Sequence, residues 1–302
     1  MNPSRPSRIP LVFAWIVLLL ASALPRVVVQ EVFQRSVSAD QGVVFSLAVL
    51  LPALLIAILV KSLRPVLPFL ALMLVLVGGQ WLVYNRIDTL GSYPAWLGNP
   101  SFNFYMLAEQ SLNLMVSLLM IAALLLMGRR PRDFFLLPGD LSAPAGAVRW
   151  LGVREGTPWN KFAAWLTVCI SAGTLAFLLL AGSLSLDTLR ALPPFIPAIL
   201  LAAALNAFTE ELTYKASFLS VLEGPLGGRQ AVLMVAVYFG IGHYYGVPYG
   251  VIGVLLAGFL GWLLAKSMRE TRGMFWAWFI HFWQDVLIFS FLVLGSIVPG
   301  GG

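Results

Sequence analysis

The chain has 302 residues, of which 60% are hydrophobic and only 11% charged, against roughly 25% charged residues in an ordinary soluble domain. The net charge of +6 is dealt out between apolar runs and is not gathered on one basic face, so no nucleic-acid partner is expected. The alternating short segments of a membrane β-barrel are absent. The expected fold class is an all-α polytopic membrane protein, with the lipid bilayer as its solvent.

Nine runs are long enough to cross a hydrocarbon core, which takes about 17–25 residues. They fall at 9–29, 43–60, 66–84, 106–127, 162–182, 195–218, 229–246, 247–265 and 274–297. The eighth begins among Pro248 and several glycines, so eight spans are also allowed. The first run follows Arg5 and Arg8 and ends near Ala21-Ser22-Ala23, the outline of a cleavable leader. Its apolar stretch continues past Pro25, and an uncleaved first helix is expected. The segment 85–105 reads as a loop whose aromatic residues suit the membrane interface.

The longest polar interruption, 129–161, is basic and rich in proline and glycine. It divides the chain into an N-terminal group of about four helices (1–128), a cytoplasmic linker (129–161) and a C-terminal helical bundle (162–298). With a cytoplasmic N-terminus, 14 of the 19 basic residues fall in inside loops, 4 fall in outside loops, and Lys215 lies within a span. That asymmetry is the positive-inside pattern. Cys169, the single cysteine, sits in an apolar run and reads as a small packing residue without disulfide or metal chemistry. Glu109, near the start of the fourth run, reads as a side chain reaching the headgroups. Nothing in the sequence speaks to oligomeric state.

Chemistry concentrates in the C-terminal half. Asn206, Thr209, Glu210, Thr213 and Ser217 recur at helical spacing, and such a polar stripe in an apolar helix must face the bundle interior or a wet cavity. Glu211 and Lys215, four apart, are placed for an ion pair with the acid N-terminal. Phe239 and His243 share a helix face, as do His281, Gln284 and Asp285. The two histidines are the only ones in the chain. Gly253, Ala257 and Gly261, spaced by four, predict a close-packing seam between the two histidine helices.

These motifs, Glu210-Glu211 with Lys215, Phe239 with His243, and His281 with Asp285, resemble in that order the CPBP family of intramembrane proteases. The family includes CAAX-processing, bacteriocin-processing and Rce1-type enzymes. The resemblance covers about 195–290 and departs at Lys215, where the family usually carries arginine; lysine keeps the charge but lacks the bidentate fork. It implies an intramembrane endopeptidase of a bacterial plasma membrane, acting on a membrane-embedded or lipidated peptide. By resemblance Glu210 is the general base for water, His243 helps to hold that water, and His281 with Asp285 stabilises the oxyanion. Orientation of His281 is an equally open role for Asp285. Asn206, Phe239, Glu211 and Lys215 would support the site.

No cofactor is required by this scheme. A zinc alternative would use Glu210, His243 and His281, a two-histidine, one-carboxylate set, although the helical HExxH arrangement is missing. Other classes stay open: an inert immunity or scaffold protein with the same fold, and a proton-coupled transporter. One tension accompanies the expected boundaries. They put Glu210 and His281 in the cytoplasmic third of their spans and His243 about 20 Å from that side. The three meet only if the His243 helix starts in the cytoplasm or tilts, or if residues 216–228 lie along the surface.

Overall fold

A computed structural model of the chain describes residues 8–98, 101–181 and 189–297. Arg5, the end of the fifth expected run at 182 and position 298 lie outside the described residues. Helix α1 (Arg8–Ala21) and α2 (Leu24–Val27), which continues as a wide turn to Val32, meet at a bend of 48°. Ser22 and Pro25 produce that bend. The serine hydroxyl donates to the Leu19 carbonyl at 2.8 Å and accepts the Leu24 amide at 3.1 Å, while proline offers no amide to continue the ladder.

Helix α3 (Ala39–Leu59) starts on a capping box in which Ser38 and Gln41 satisfy each other's amides. It is followed by α4 (Leu67–Leu82), the short α5 (Tyr93–Leu97) and α6 (Phe102–Leu126). Exposed Ile9, Val12 and Ile16 on α1 and Leu51, Leu55 and Ile58 on α3 form an outer surface suited to lipid rather than water.

The polar segment after α6 folds against the turn between the last two helices. It contains a two-stranded antiparallel ribbon, β1 (Pro144–Ala145) with β2 (Thr157–Pro158), in the register Ala145 to Thr157. Phe134, Phe135 and Trp159 are buried. The Asp140 amide donates to the Thr271 carbonyl at 2.8 Å, and the Trp159 indole donates to Glu270 at 2.9 Å.

Helix α7 (Trp159–Ala181) carries Cys169 on an exposed face, so, contrary to the expectation of a packing residue, it fills no gap in the core. The chain then forms α8 (Ile196–Glu210), a π-helical turn (Glu211–Ala216), α9 (Ser217–Leu226), α10 (Gly228–Gly242), α11 (Val251–Thr271) and α12 (Phe275–Ile297). One large apolar core joins the two halves, from Leu70, Met73 and Leu76 on α4 to Leu222 on α9 and Leu264 on α11. Phe69 meets Phe218 edge to face at 5.7 Å within it.

Among the described residues, seven helical segments are long and apolar enough to cross a membrane, or eight if the bent α1–α2 pair is one span. The remaining expected span is α10. Its 15 residues reach only about 22 Å at 1.5 Å per residue, short of a core of about 30 Å. The expected count of nine is therefore not matched among the described residues, and the helix that falls short is the seventh expected run rather than the eighth.

Candidate active site

Two facts of helix geometry bring the polar residues together. The helix bearing Glu210 does not end at 218; it runs through the π-turn to Leu226, and α10 returns directly after Gly227. Glu210 lies 17 residues before that glycine and His243 lies 16 after it. At 1.5 Å per residue the two sit level across an antiparallel pair, about 25 Å from the shared turn. The depth conflict in the sequence came from a misplaced helix end.

The second fact is the seam between α10 and α11. A Cβ on Gly240 would stand 2.7 Å from the Val254 carbonyl, and the same helices touch through Gly258 and Gly261. The seam was expected at Gly253, Ala257 and Gly261. It runs through Gly258, because Gly253 is occupied by the loop after α10: a Cβ there would meet the Pro248 carbonyl at 2.1 Å. That loop holds His243, which caps the C-terminus of α10 instead of lying within it.

His281 on α12 is the centre of the cluster. Its Nδ1 stands 2.7 Å from Glu211 Oε1, and its Nε2 lies 3.6 Å from both Glu210 Oε2 and Asp285 Oδ1. Glu211 also pairs with Lys215 at 2.8 Å, both side chains wholly buried. The Lys215 ammonium lies 3.3 Å from the centroid of the Phe239 ring, so a cation–π contact supplements the ion pair. Phe239 in turn touches His243, with ring centroids 4.3 Å apart, and His281 at 6.4 Å. The shortest contact of His281 is thus with Glu211, through Nδ1, while Asp285, for which orienting His281 was one of two open roles, stands at the other ring nitrogen.

Asn206 connects the acids. Its amide donates to Glu210 Oε1 at 3.3 Å and to Asp285 Oδ2 at 3.1 Å, and its carbonyl accepts from Gln110 on α6 at 3.3 Å. The rest of the expected stripe turns elsewhere. Thr213 meets Ser117 of α6 at 2.8 Å, and Ser217 donates to the Leu212 carbonyl at 2.8 Å. The π-turn rotates this part of the stripe away from the cluster. Gln284 also leaves the site, donating to Thr174 of α7 at 3.2 Å.

Three carboxyl groups, Glu210, Glu211 and Asp285, thus face one ammonium. Glu210 Oε2 is buried and has no hydrogen-bond partner among the described residues. Glu210 borders two spaces. One is a cavity of about 500 Å³, also lined by His243, Phe239, Tyr214, Gln80 and Arg26. The other is a polar chamber of about 40 Å³ lined by Tyr84, Asn113, Thr209 and Thr213, where the Tyr84 hydroxyl donates to Asn113.

Gln80, Tyr84, Gln110 and Asn113 come from α4, its continuation and α6, outside the segment singled out in the sequence. Gln110 had a readable signal, an amide in an apolar helix, but its neighbour Glu109 drew the attention. Glu109 is only half buried. Among the described residues, no three of His, Cys, Asp and Glu form a group that could hold a metal ion.

No curated protein and no solved structure matches this chain. Residues 192–287 match the family model described as Rce1-like, type II CAAX prenyl endopeptidase. That segment contains Asn206, Glu210, Glu211, Lys215, Phe239, His243, His281 and Asp285, so the whole cluster around His281 falls within the Rce1-like region.

Proposed function

We propose that the protein hydrolyses a peptide bond of a membrane-embedded or lipidated substrate with water activated by Glu210 and without a metal. The carrying observation is the position of Glu210 Oε2: buried, without a hydrogen-bond partner among the described residues, and on a side chain that lines the large cavity together with His243. His243 Nδ1 stands 2.9 Å from the Phe239 carbonyl. A carbonyl only accepts, so Nδ1 carries the proton and Nε2 is left as an acceptor. A water in the cavity can then donate one hydrogen to Glu210 and the other to His243.

Glu210 takes a proton as the water oxygen attacks the scissile carbonyl. The tetrahedral oxyanion forms beside His281, whose Nε2–H donates to it when the ring is an imidazolium held by Glu211. Asp285 Oδ1 adds a second donor when it carries a proton. The C–N bond breaks as Glu210 returns its proton to the leaving amine. Every proton taken from water is accounted for in the two products. The charge asymmetry of the loops supports a cytoplasmic N-terminus.

The test is cleavage by the purified protein in lipid nanodiscs, followed by mass spectrometry. Activity is expected to persist with a strong zinc chelator and to fall by about 10²–10⁴-fold in Glu210→Gln, the range for loss of a general base. Loss on chelation with rescue by zinc would overturn the metal-free scheme. Unchanged cleavage by Glu210→Gln would remove the glutamate from it.

A further inference from the structure

We infer that the small polar chamber beside Glu210 is a water site that supplies the attacking water once a peptide fills the large cavity; this rests on the proteolytic reading above. The small residues Ala21, Ser22, Ala23 and Gly42 along the large cavity leave room for an apolar stretch of peptide. A peptide seated there displaces the water of that space, so hydrolysis needs a store that the substrate does not enter. The chamber, at about 40 Å³, is too small for a residue of peptide and holds about two or three water molecules.

The polar groups around the chamber are a mixed set. Tyr84 donates its hydroxyl proton to Asn113 Oδ1, which leaves the phenol oxygen to accept and the Asn113 amide nitrogen to donate. The Tyr214 hydroxyl accepts from Gln80 Nε2 at 2.8 Å, and its own proton has no acceptor among the described residues. Thr209 donates to the Asn206 carbonyl at 3.0 Å and keeps its oxygen as an acceptor on the same helix as the Glu210 carboxylate. A cation site offers acceptors alone and an anion site offers donors alone. Water is the ligand that uses both.

The chamber also adjoins the proposed base. Gln80, Glu210 and Tyr214 line both spaces, and the hydrogen bond from Gln80 to Tyr214 stands where the two meet. Water in the chamber therefore reaches Glu210 from the side of α4 and α6, in a lining to which the bent first helix contributes nothing. Gln80, Tyr84, Asn113 and Val116 lie outside residues 192–287, so the N-terminal half of the chain completes the water site.

The experiment uses the full chain in nanodiscs and two readouts. X-ray radiolysis hydroxylates side chains that stand next to bound water, and a pool of randomised peptides, each carrying one lipid chain, reports cleavage. In the wild type Tyr84 is expected to be labelled. Val116→Phe puts carbon where the water stands, so labelling of Tyr84 falls sharply. In the same variant kcat falls about tenfold, the scale of a hydrogen bond to a charged group, while KM stays nearly constant because the peptide cavity is untouched. Tyr84→Phe keeps the packing and removes one hydroxyl, with kcat expected to fall about threefold at constant KM and melting temperature. It decides the matter if Val116→Phe fails to accumulate.

An unlabelled Tyr84 in the wild type, or wild-type kcat in either variant, overturns the inference and leaves the proteolytic reading standing. A rise in KM at constant kcat makes the chamber part of the peptide site and overturns it as well. If the wild type cleaves nothing, or if Glu210→Gln cleaves like the wild type, the proteolytic reading fails first and the supply role falls with it.

Discussion

Glu211 is shared by two partners in a place with no water. Lys215 and His281 both reach Oε1, at 2.8 and 2.7 Å, and the glutamate is fully buried. Replacing it by Gln leaves a buried ammonium without its countercharge, which costs about 3–5 kcal/mol. The double variant Glu211→Gln/Lys215→Met is expected to regain most of that stability by thermal unfolding in detergent. Its cleavage is expected to stay low, because His281 has lost the group that orients it. A single variant melting like the wild type would contradict the ion pair's role. The spacing of four made the pairing of Glu211 with Lys215 legible in the sequence. The contact with His281, seventy residues on, was not, because spacing reports only on neighbours along one helix.

At the scale of elements, the π-turn and the glycine seam decide what faces the cavity. Helical periodicity put Asn206, Thr209, Glu210, Thr213 and Ser217 on one stripe, but a π-turn adds a residue to the local turn and breaks that count. The end of the Glu210 helix was equally hidden. The expected run stopped at 218, whereas the helix continues to Leu226, and Gly227, with φ of 84°, turns the chain.

The seam offers a direct test. A Cβ on Gly261 would stand 3.1 Å from Phe239 Cδ1, so Gly261→Ala should displace the ring by a few tenths of an ångström. Because that ring carries Lys215 and His243, kcat is expected to drop about fivefold while the melting temperature is little changed. Unaltered turnover would show that the position of Phe239 is not critical.

At the scale of the whole molecule, hydropathy made the all-α membrane architecture readable, because apolar runs of this length leave the backbone no other way to satisfy its own polar groups. It did not show that α10 is shorter than the other runs, since composition resembles a span even when the helix is short. Orientation can be tested in a Cys169→Ser background with single cysteines at exposed Arg132 and Leu90. With a cytoplasmic N-terminus, an impermeant maleimide added to intact spheroplasts should label Leu90→Cys and spare Arg132→Cys. The reverse pattern inverts the topology.

The small-residue wall of the cavity has a bearing on how such a protein changes over generations. Ala21, Ser22, Ala23 and Gly42 are among the smallest side chains, and a Cβ on Gly42 would meet nothing within 4 Å. Nearly every heritable substitution there adds bulk, and at Gly42 the first added atom does so without a clash. On the proposed proteolytic reading, single codon changes in the bent first helix and α3 can therefore narrow the range of substrates step by step while the residues proposed to perform hydrolysis stay fixed. Widening it again would require reverting to residues that few random changes restore, so specialisation at this wall runs mainly in one direction.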